Sequence, residues 1–213
     1  DPINFFGFSR EELTMAVEEA AMAQTYVAAH LYTAAAITRA VECGVWCVEH
    51  ASVVDTEAAQ AIVKAGAITV PTLIIFEGLK REGAQLGLSP VSVDKIDDVR
   101  LYGHRSLEIL RDAGITMGYG TDLLGPLHRL QSEEFLLRGE VLSAREVIRS
   151  ATLDAAKVLR MEGKIGCISP GAFADLVVVK GDPLKNLALL TEQGRHMPLI
   201  VKGGQLVKNE LAA

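Results

Sequence analysis

The chain has 213 residues, of which 49% are hydrophobic and 23% charged, with a formal net charge of −6. That composition supplies a core and carries too little charge for disorder. It also lacks the basic stripe of a nucleic-acid binder, so nucleic acid is excluded as the expected partner.

Cys43, Cys47 and Cys167 form no CxxC pair and no even framework, which argues against a disulfide scaffold and for a reducing, cytoplasmic compartment. The N-terminal stretch DPINFFGFSREE does not read as a secretory leader. Ala20 to Thr38 carries no Asp, Glu, Lys or Arg, but Gln24, Thr25, His30, Tyr32 and Thr33 interrupt it. It reads as buried strand plus helix, and no membrane partner is expected.

Ser9 followed by Glu12 is a capping-box signature, so a helix is expected from about Arg10 to Ala23 with Leu13, Val17, Ala20 and Ala21 on one face. Tyr26 to His30 then reads as a short buried strand. The next segments repeat one theme. A helix over Ala34 to Glu42 ends at Gly44 and leads into the strand Val45 to Val48, followed by Glu49 and His50. A helix over Thr56 to Ala65 ends at Gly66 and leads into Ala67 to Val70, followed by Pro71 and Thr72. A longer helix, Val93 to Ala113, ends at Gly114 and leads into Ile115 to Tyr119, then Gly120, Thr121 and Asp122. Each helix stops at a glycine able to take the left-handed conformation. Each strand is short, apolar on both faces and rich in β-branched residues, as buried parallel strands are.

Ile74 to Pro90 reads as a long connection with a charged middle, of the kind that forms lids or specificity loops. Helices are expected at Ser132 to Arg138 and at Ala144 to Met161, the latter broken near Thr152. From Gly163 the pattern changes to strands linked by Pro and Gly turns: Lys164 to Ile168, Asp175 to Val179, and Leu199 to Val207.

Alternating strands and helices with short links mean a parallel sheet covered by helices, either an open doubly wound sheet or a (β/α)8 barrel. His30, His50, Thr72 and Asp122 all fall at or just after the C-terminal ends of their strands, and in a barrel those ends converge on one mouth. No GxGxxG follows a strand, so a dinucleotide fold gains no support. The expected architecture is therefore α/β: four strand-helix units over residues 1–162, the C-terminal half of a TIM-type barrel, followed over 163–213 by part of a small β-sandwich domain.

Imidazole and carboxylate together suit a divalent metal such as zinc, manganese or iron, which makes His30, His50 and Asp122 the candidate constellation. Glu49, next to His50, should point away from the barrel interior if His50 points in, and is given a structural role. Gly118 and Gly120 are expected to permit close backbone approach near the site.

The segments VAAHLYTAAAITRAVECG, VECGVWCVEHA, ITMGYGTD, GTDLLGPLHRLQSEEF, GKIGCISPGAFADLVVVKGDPL and LIVKGGQLV resemble, in order and spacing, the C-terminal half of a metal-dependent amidohydrolase. The likeness is to imidazolonepropionase-like and Xaa-Pro dipeptidase-like members and covers nearly the whole chain. It implies that His30 and His50 are the metal ligands of the fifth and sixth barrel strands. It implies that Asp122 is the eighth-strand residue that touches the metal and handles the proton. Tyr32, His128 and Arg129 are implied as substrate-binding residues.

The implied enzyme is a dipeptidase-like hydrolase of C–N bonds, acting on a dipeptide or N-acyl amino acid with one or two divalent ions, zinc foremost. The ion would lower the pKa of bound water from 15.7 to about 7. A cyclic-amide hydrolase or deaminase of the same superfamily is the alternative. The first-strand HxH pair and fourth-strand lysine of that family have no counterpart in these residues and are expected upstream of Asp1. A rival reading of another class is a non-catalytic α/β module that associates with a second chain. Both readings expect association, as a homo-oligomer or with an N-terminal half, because a half-barrel exposes two strand edges, Tyr26 to His30 and Ile115 to Asp122.

Overall fold

The computed structural model describes residues 5–211; the first four positions of the N-terminal stretch lie outside them. The chain divides into two compact units, residues 1–122 and 123–213.

The first unit is a mixed α/β structure built on a parallel sheet. Helix α1 (Arg10–Met22) begins with the expected capping box: the Glu12 N–H donates to Ser9 Oγ at 3.1 Å, and the Ser9 N–H donates to the Glu12 carboxylate at 2.7 Å. Strand β1 (Ala28–Thr33) follows, then α2 (Ala34–Glu42), β2 (Cys47–Val53), α3 (Thr56–Ala65) and β3 (Ile68–Val70). The strands pair in parallel in the order β1-β2-β3. Thr33 caps α2 and Asp55 caps α3, and Gly44, Gly66 and Gly114 all take the positive φ that ends a helix. The core lies between helices and sheet, with Ile37 of α2, Val48 of β2 and Ile62 of α3 fully buried. Each such side chain contributes roughly 1.5–3 kcal/mol of transfer free energy.

Four expectations are corrected here. Strand β1 begins two residues later than Tyr26 and is not buried on both faces; it is an edge, with Ala28 and His30 exposed. Ile115 to Tyr119 forms a parallel bridge to β3 rather than a full strand, through Thr69 N–H to Thr116 O at 3.0 Å and Gly118 N–H to Thr69 O at 2.8 Å. Gly118 offers no side chain to pack, which weakens pairing there. The supposed long connection from Ile74 opens with a helix, α4 (Ile74–Glu82). Its buried Ile74, Ile75 and Gly78 form an apolar stripe at helical spacing, and Lys80 and Arg81 complement the C-terminal end of its dipole. The single helix expected over Val93 to Ala113 starts earlier and comes in three pieces: α5 (Pro90–Lys95), α6 (Asp97–Arg100) and α7 (Gly103–Asp112). Pro90 sits at the first turn and Ser89 accepts the Ser92 N–H, which explains the earlier start. Leu107 and Leu110 carry the buried face of α7.

The second unit starts with a 3-10 segment, Gly125–Glu133, and helix α8 (Glu134–Gly139), where one helix over Ser132 to Arg138 was expected. Helices α9 (Ala144–Arg149) and α10 (Ala155–Val158) flank a π turn at Ser150–Asp154, the break foreseen near Thr152. Thr152 Oγ1 donates back to the Ile148 carbonyl at 2.8 Å, the back-bonding that bends helices. An antiparallel sheet follows, ordered β4 (Leu176–Val178), β5 (Leu199–Lys202) and β6 (Gln205–Asn209). Gly203 and Gly204, both at positive φ, make the turn between β5 and β6. Lys164 to Ile168 is not a strand, holding only a bridge between Glu162 and Ile165. No helix among the described residues is long and apolar enough to cross a membrane.

Candidate functional site

The site grows from a break in strand alternation. His30 of β1 is register partner to Glu49 of β2, and Leu31 is partner to His50, so regular pleating would turn His30 and His50 to opposite faces. The backbone prevents that. His50 (φ 70) and Ala51 (φ 47) both take left-handed conformations, which cost non-glycine residues on the order of 1–3 kcal/mol each. The register slips at the same place: Leu31 to Thr33 on β1 faces His50 to Val53 on β2, one residue more on the second strand. This is a β-bulge, a device that re-aims a side chain.

The bulge delivers the His50 ring to His30. His30 Nδ1 and His50 Nε2 stand 2.6 Å apart, with ring centroids at 4.8 Å. The other ring nitrogen of His50, Nδ1, lies 2.7 Å from the Thr72 hydroxyl, just beyond β3. Tyr32, on the same face of β1 as His30, stacks flat on His50 with centroids 4.9 Å apart and planes 4° from parallel. His50 is therefore held from three sides and is 3% exposed, whereas His30 is exposed at the strand edge.

Electrostatics follow from this burial. Desolvation drives the His50 pKa down to about 4, with the Asp122 charge opposing the shift and His30 adding to it. Burial, then the Asp122 charge, raises the Tyr32 phenol above its ordinary value. Asp122 thus acts on both rings, from a backbone itself in the left-handed region (φ 51). Gly120 lets that segment run against β3: a Cβ there would come within 2.6 Å of Val70 Cγ1 and 3.3 Å of Thr72 Cγ2.

Glu49 departs from its expected orientation. As register partner of His30 it shares the histidine's face, and its carboxyl is in electrostatic reach of both His30 and Asp122. Burial raises its pKa, against the hydrogen bond it accepts from Cys47 Sγ at 3.2 Å. The expectation failed because alternation holds only in regular strand, and β2 stops being regular at His50. Two further neighbours went unread in the sequence. Phe76 of α4 meets Tyr32 edge-on at 6.4 Å, and Ser106 of α7 bonds the main chain just after His50. A small hydroxyl on the same buried stripe as Leu107 and Leu110 was the available signal for Ser106.

His128 and Arg129 belong to the second unit. Both are exposed on the 3-10 segment, where Arg129 Nη1 donates to the Pro126 carbonyl at 2.8 Å and the Arg129 carbonyl accepts from Gln193 Nε2.

The structure corrects the expected strand ends, since β1 runs on to Thr33 and β2 to Val53; the two facing imidazole nitrogens, with the Asp122 carboxylate in electrostatic reach, still have the donor chemistry of a divalent cation site. Two neutral imidazoles share only one proton across such a contact; a cation would instead draw on both lone pairs. His50 also has its second nitrogen on an oxygen, the outer partner that metal-bound histidines use. Among the described residues no three His, Cys, Asp or Glu side chains converge as a complete ligand cluster. The residues present thus fit a metal as a pair of imidazole ligands.

Comparison with known proteins gives matches over nearly the whole chain. A model described as the amidohydrolase family matches residues 1–206. A crystal structure of an amidohydrolase is 51% identical with a TM-score of 0.97, covering 99% of this chain and 51% of that one. A prolidase crystallised with N-methylphosphonate-L-proline is 45% identical with a TM-score of 0.95, covering 98% and 51%. Ochratoxinase of Aspergillus niger is 27% identical over 209 residues, 98% of this chain and 43% of the relative. The chain spans about half the length of the relatives it matches.

Proposed function

Because the chain belongs to the amidohydrolase family, we propose that it forms the metal-binding C-terminal half of a hydrolase of C–N bonds in a dipeptide or N-acyl amino acid. The observation that carries this reading is the 2.6 Å approach of His30 Nδ1 to His50 Nε2 between the adjacent strands β1 and β2, made through a strained bulge. Prolidase and ochratoxinase among its likenesses favour an amide or peptide substrate over the cyclic amides and amines of other superfamily branches.

His30 and His50 would hold a divalent ion, zinc foremost, with Asp122 beside them. When bound, the ion supplies an activated water and polarises the carbonyl under attack. Asp122 accepts the proton of the attacking water on its carboxylate and passes it to the departing nitrogen. Thr72 fixes the His50 ring by bonding Nδ1, which leaves Nε2 aimed at His30. Tyr32 presents its phenol above the same site, where burial and Asp122 keep it protonated and able to donate to a substrate carbonyl or carboxylate. Phe76 packs on Tyr32, so α4 contributes to the shape of that wall. His128 and Arg129, both in the second unit, keep the substrate-binding role that the resemblance implies for them.

In this reading the parallel unit is part of a (β/α)8 barrel, and residues 163–213 belong to a small β-sandwich domain. The exposed edge at β1 and the exposed apolar residues Val177 and Val207 on the antiparallel sheet support association, either with an N-terminal half or with a second copy.

Asp122→Asn tests the mechanism. Turnover of an Xaa-Pro dipeptide should fall roughly 10²–10⁴-fold, the usual worth of a general acid-base, with unchanged circular dichroism. Undiminished turnover would remove Asp122 from the proton transfer.

A further inference from the structure

We infer that Ser106 is a positioning residue for the site: from helix α7 it pins the β2 bulge that turns His50 onto His30. The inference rests on the reading of His50 as a site histidine.

The bulge needs holding. His50 and Ala51 sit in left-handed backbone, and such conformations persist only where the surroundings over-determine them. The slip in register also interrupts the regular ladder between β1 and β2. Ser106 supplies bonds at that point. Its Oγ donates to the Ser52 carbonyl at 2.7 Å and accepts the Val54 N–H at 3.3 Å, so one hydroxyl brackets the end of the bulge with a donor and an acceptor. The side chain is 3% exposed and Ser52 is 4% exposed, so water is a poor substitute for either bond. Ala51 between His50 and Ser52 is fully buried, which leaves the segment little room to relax other than by rotating His50. The neighbouring Leu107 and Leu110 of α7 are fully buried as well and fix the helix from which Ser106 reaches.

Thr72 and Tyr32 hold the ring; Ser106 holds the backbone beneath it. Its loss should therefore move the imidazole, not merely soften the fold. The test uses protein carrying ¹⁵N-labelled histidine, metal-free, at one fixed pH. Ser106→Ala should shift the ring-nitrogen resonances of His50 and weaken Zn²⁺ binding roughly ten- to hundredfold, the scale of a lost outer partner at a metal site. Ser106→Thr, which keeps the hydroxyl, should restore both. Ile37→Val on α2, with Ile37 likewise fully buried, serves as the control and should lower thermal stability while leaving the His50 resonances in place. If Ser106→Ala does not fold, Ser106→Val replaces it, matching the shape of the threonine variant without a hydrogen-bonding group. His50 resonances unmoved in a folded Ser106→Ala or Ser106→Val protein would overturn the proposal. Failure of the wild-type protein to bind Zn²⁺ would instead count against the metal reading, and the resonances would still decide the role of Ser106.

Discussion

The two units spend their apolar residues differently. In the first, Val48 of the parallel sheet and Ile37, Ile62 and Leu107 of the helices are all fully buried, and three of the non-glycine residues at positive φ, His50, Ala51 and Asp122, belong to the candidate site. In the second, the sheet of β4, β5 and β6 has no buried residue among those described, and Ile168, Val177, Leu206 and Val207 are more than half exposed. What is buried there includes an ion pair, Glu134 and Arg138, 2.8 Å apart and both fully enclosed, with Arg138 Nη1 also 3.2 Å from Ser150 Oγ. One unit sets its left-handed site residues against a buried apolar sheet. The other buries Leu127, Leu130, Leu142 and Val147 together with one ion pair, and leaves Val177, Leu206 and Val207 of its sheet exposed.

This contrast can be broken at its strongest point by Glu134→Gln. The substitution removes the Glu134 charge from the enclosed pair and should cost about 3–5 kcal/mol in urea unfolding. A loss below about 1 kcal/mol would mean that water reaches the pair.

In the first unit the corresponding lever is pH. His50 is neutral in the fold, with its pKa lowered to about 4 from the ordinary 6.5. Below about pH 6.5 the unfolded chain binds the extra proton and the folded one does not. Stability of the metal-free protein should therefore decline as pH falls from about 6.5 to about 4 and level off beneath that. The drop attributable to His50 is on the order of 3 kcal/mol, and it should vanish in His50→Gln. Equal slopes for wild type and variant across that window would show that His50 is not the group responsible.

The smallest effect sharpens the contrast most. Val207→Ser on β6 should change stability by no more than about 0.5 kcal/mol, since Val207 is 65% exposed. A loss above about 1 kcal/mol in the purified protein would mean that another surface covers this sheet in solution.

Much of the first unit was legible because its signals are local. The capping residue Ser9 and the glycines that end each helix act within a few positions of themselves, so spacing alone locates those boundaries. The candidate histidines were legible because each follows a short apolar run, although the strands continue past them to Thr33 and Val53. Helix α4 was misread because its buried stripe of Ile74, Ile75 and Gly78 is short and its remaining surface charged, which looks like a loop until something packs on it. Lys164 to Ile168 was misread in the opposite sense, since β-branched composition does not by itself supply a pairing partner.

The amino-acid sequence by itself determined the alternating elements, the parallel α/β class of the first unit and the residue types at the strand ends. Those rest on periodicity and capping, which operate over one or two turns of chain. Only the tertiary structure decided that Glu49 shares a face with His30, that His50 abandons the alternation of its own strand, and that Thr72 and Ser106 hold it there. Left-handed backbone at a non-glycine residue is unfavourable in isolation. It arises at His50 and Ala51 because β1, α7 and the residues just after β3 close around them, and contacts made across 20 to 54 positions leave no local trace in the order of residues.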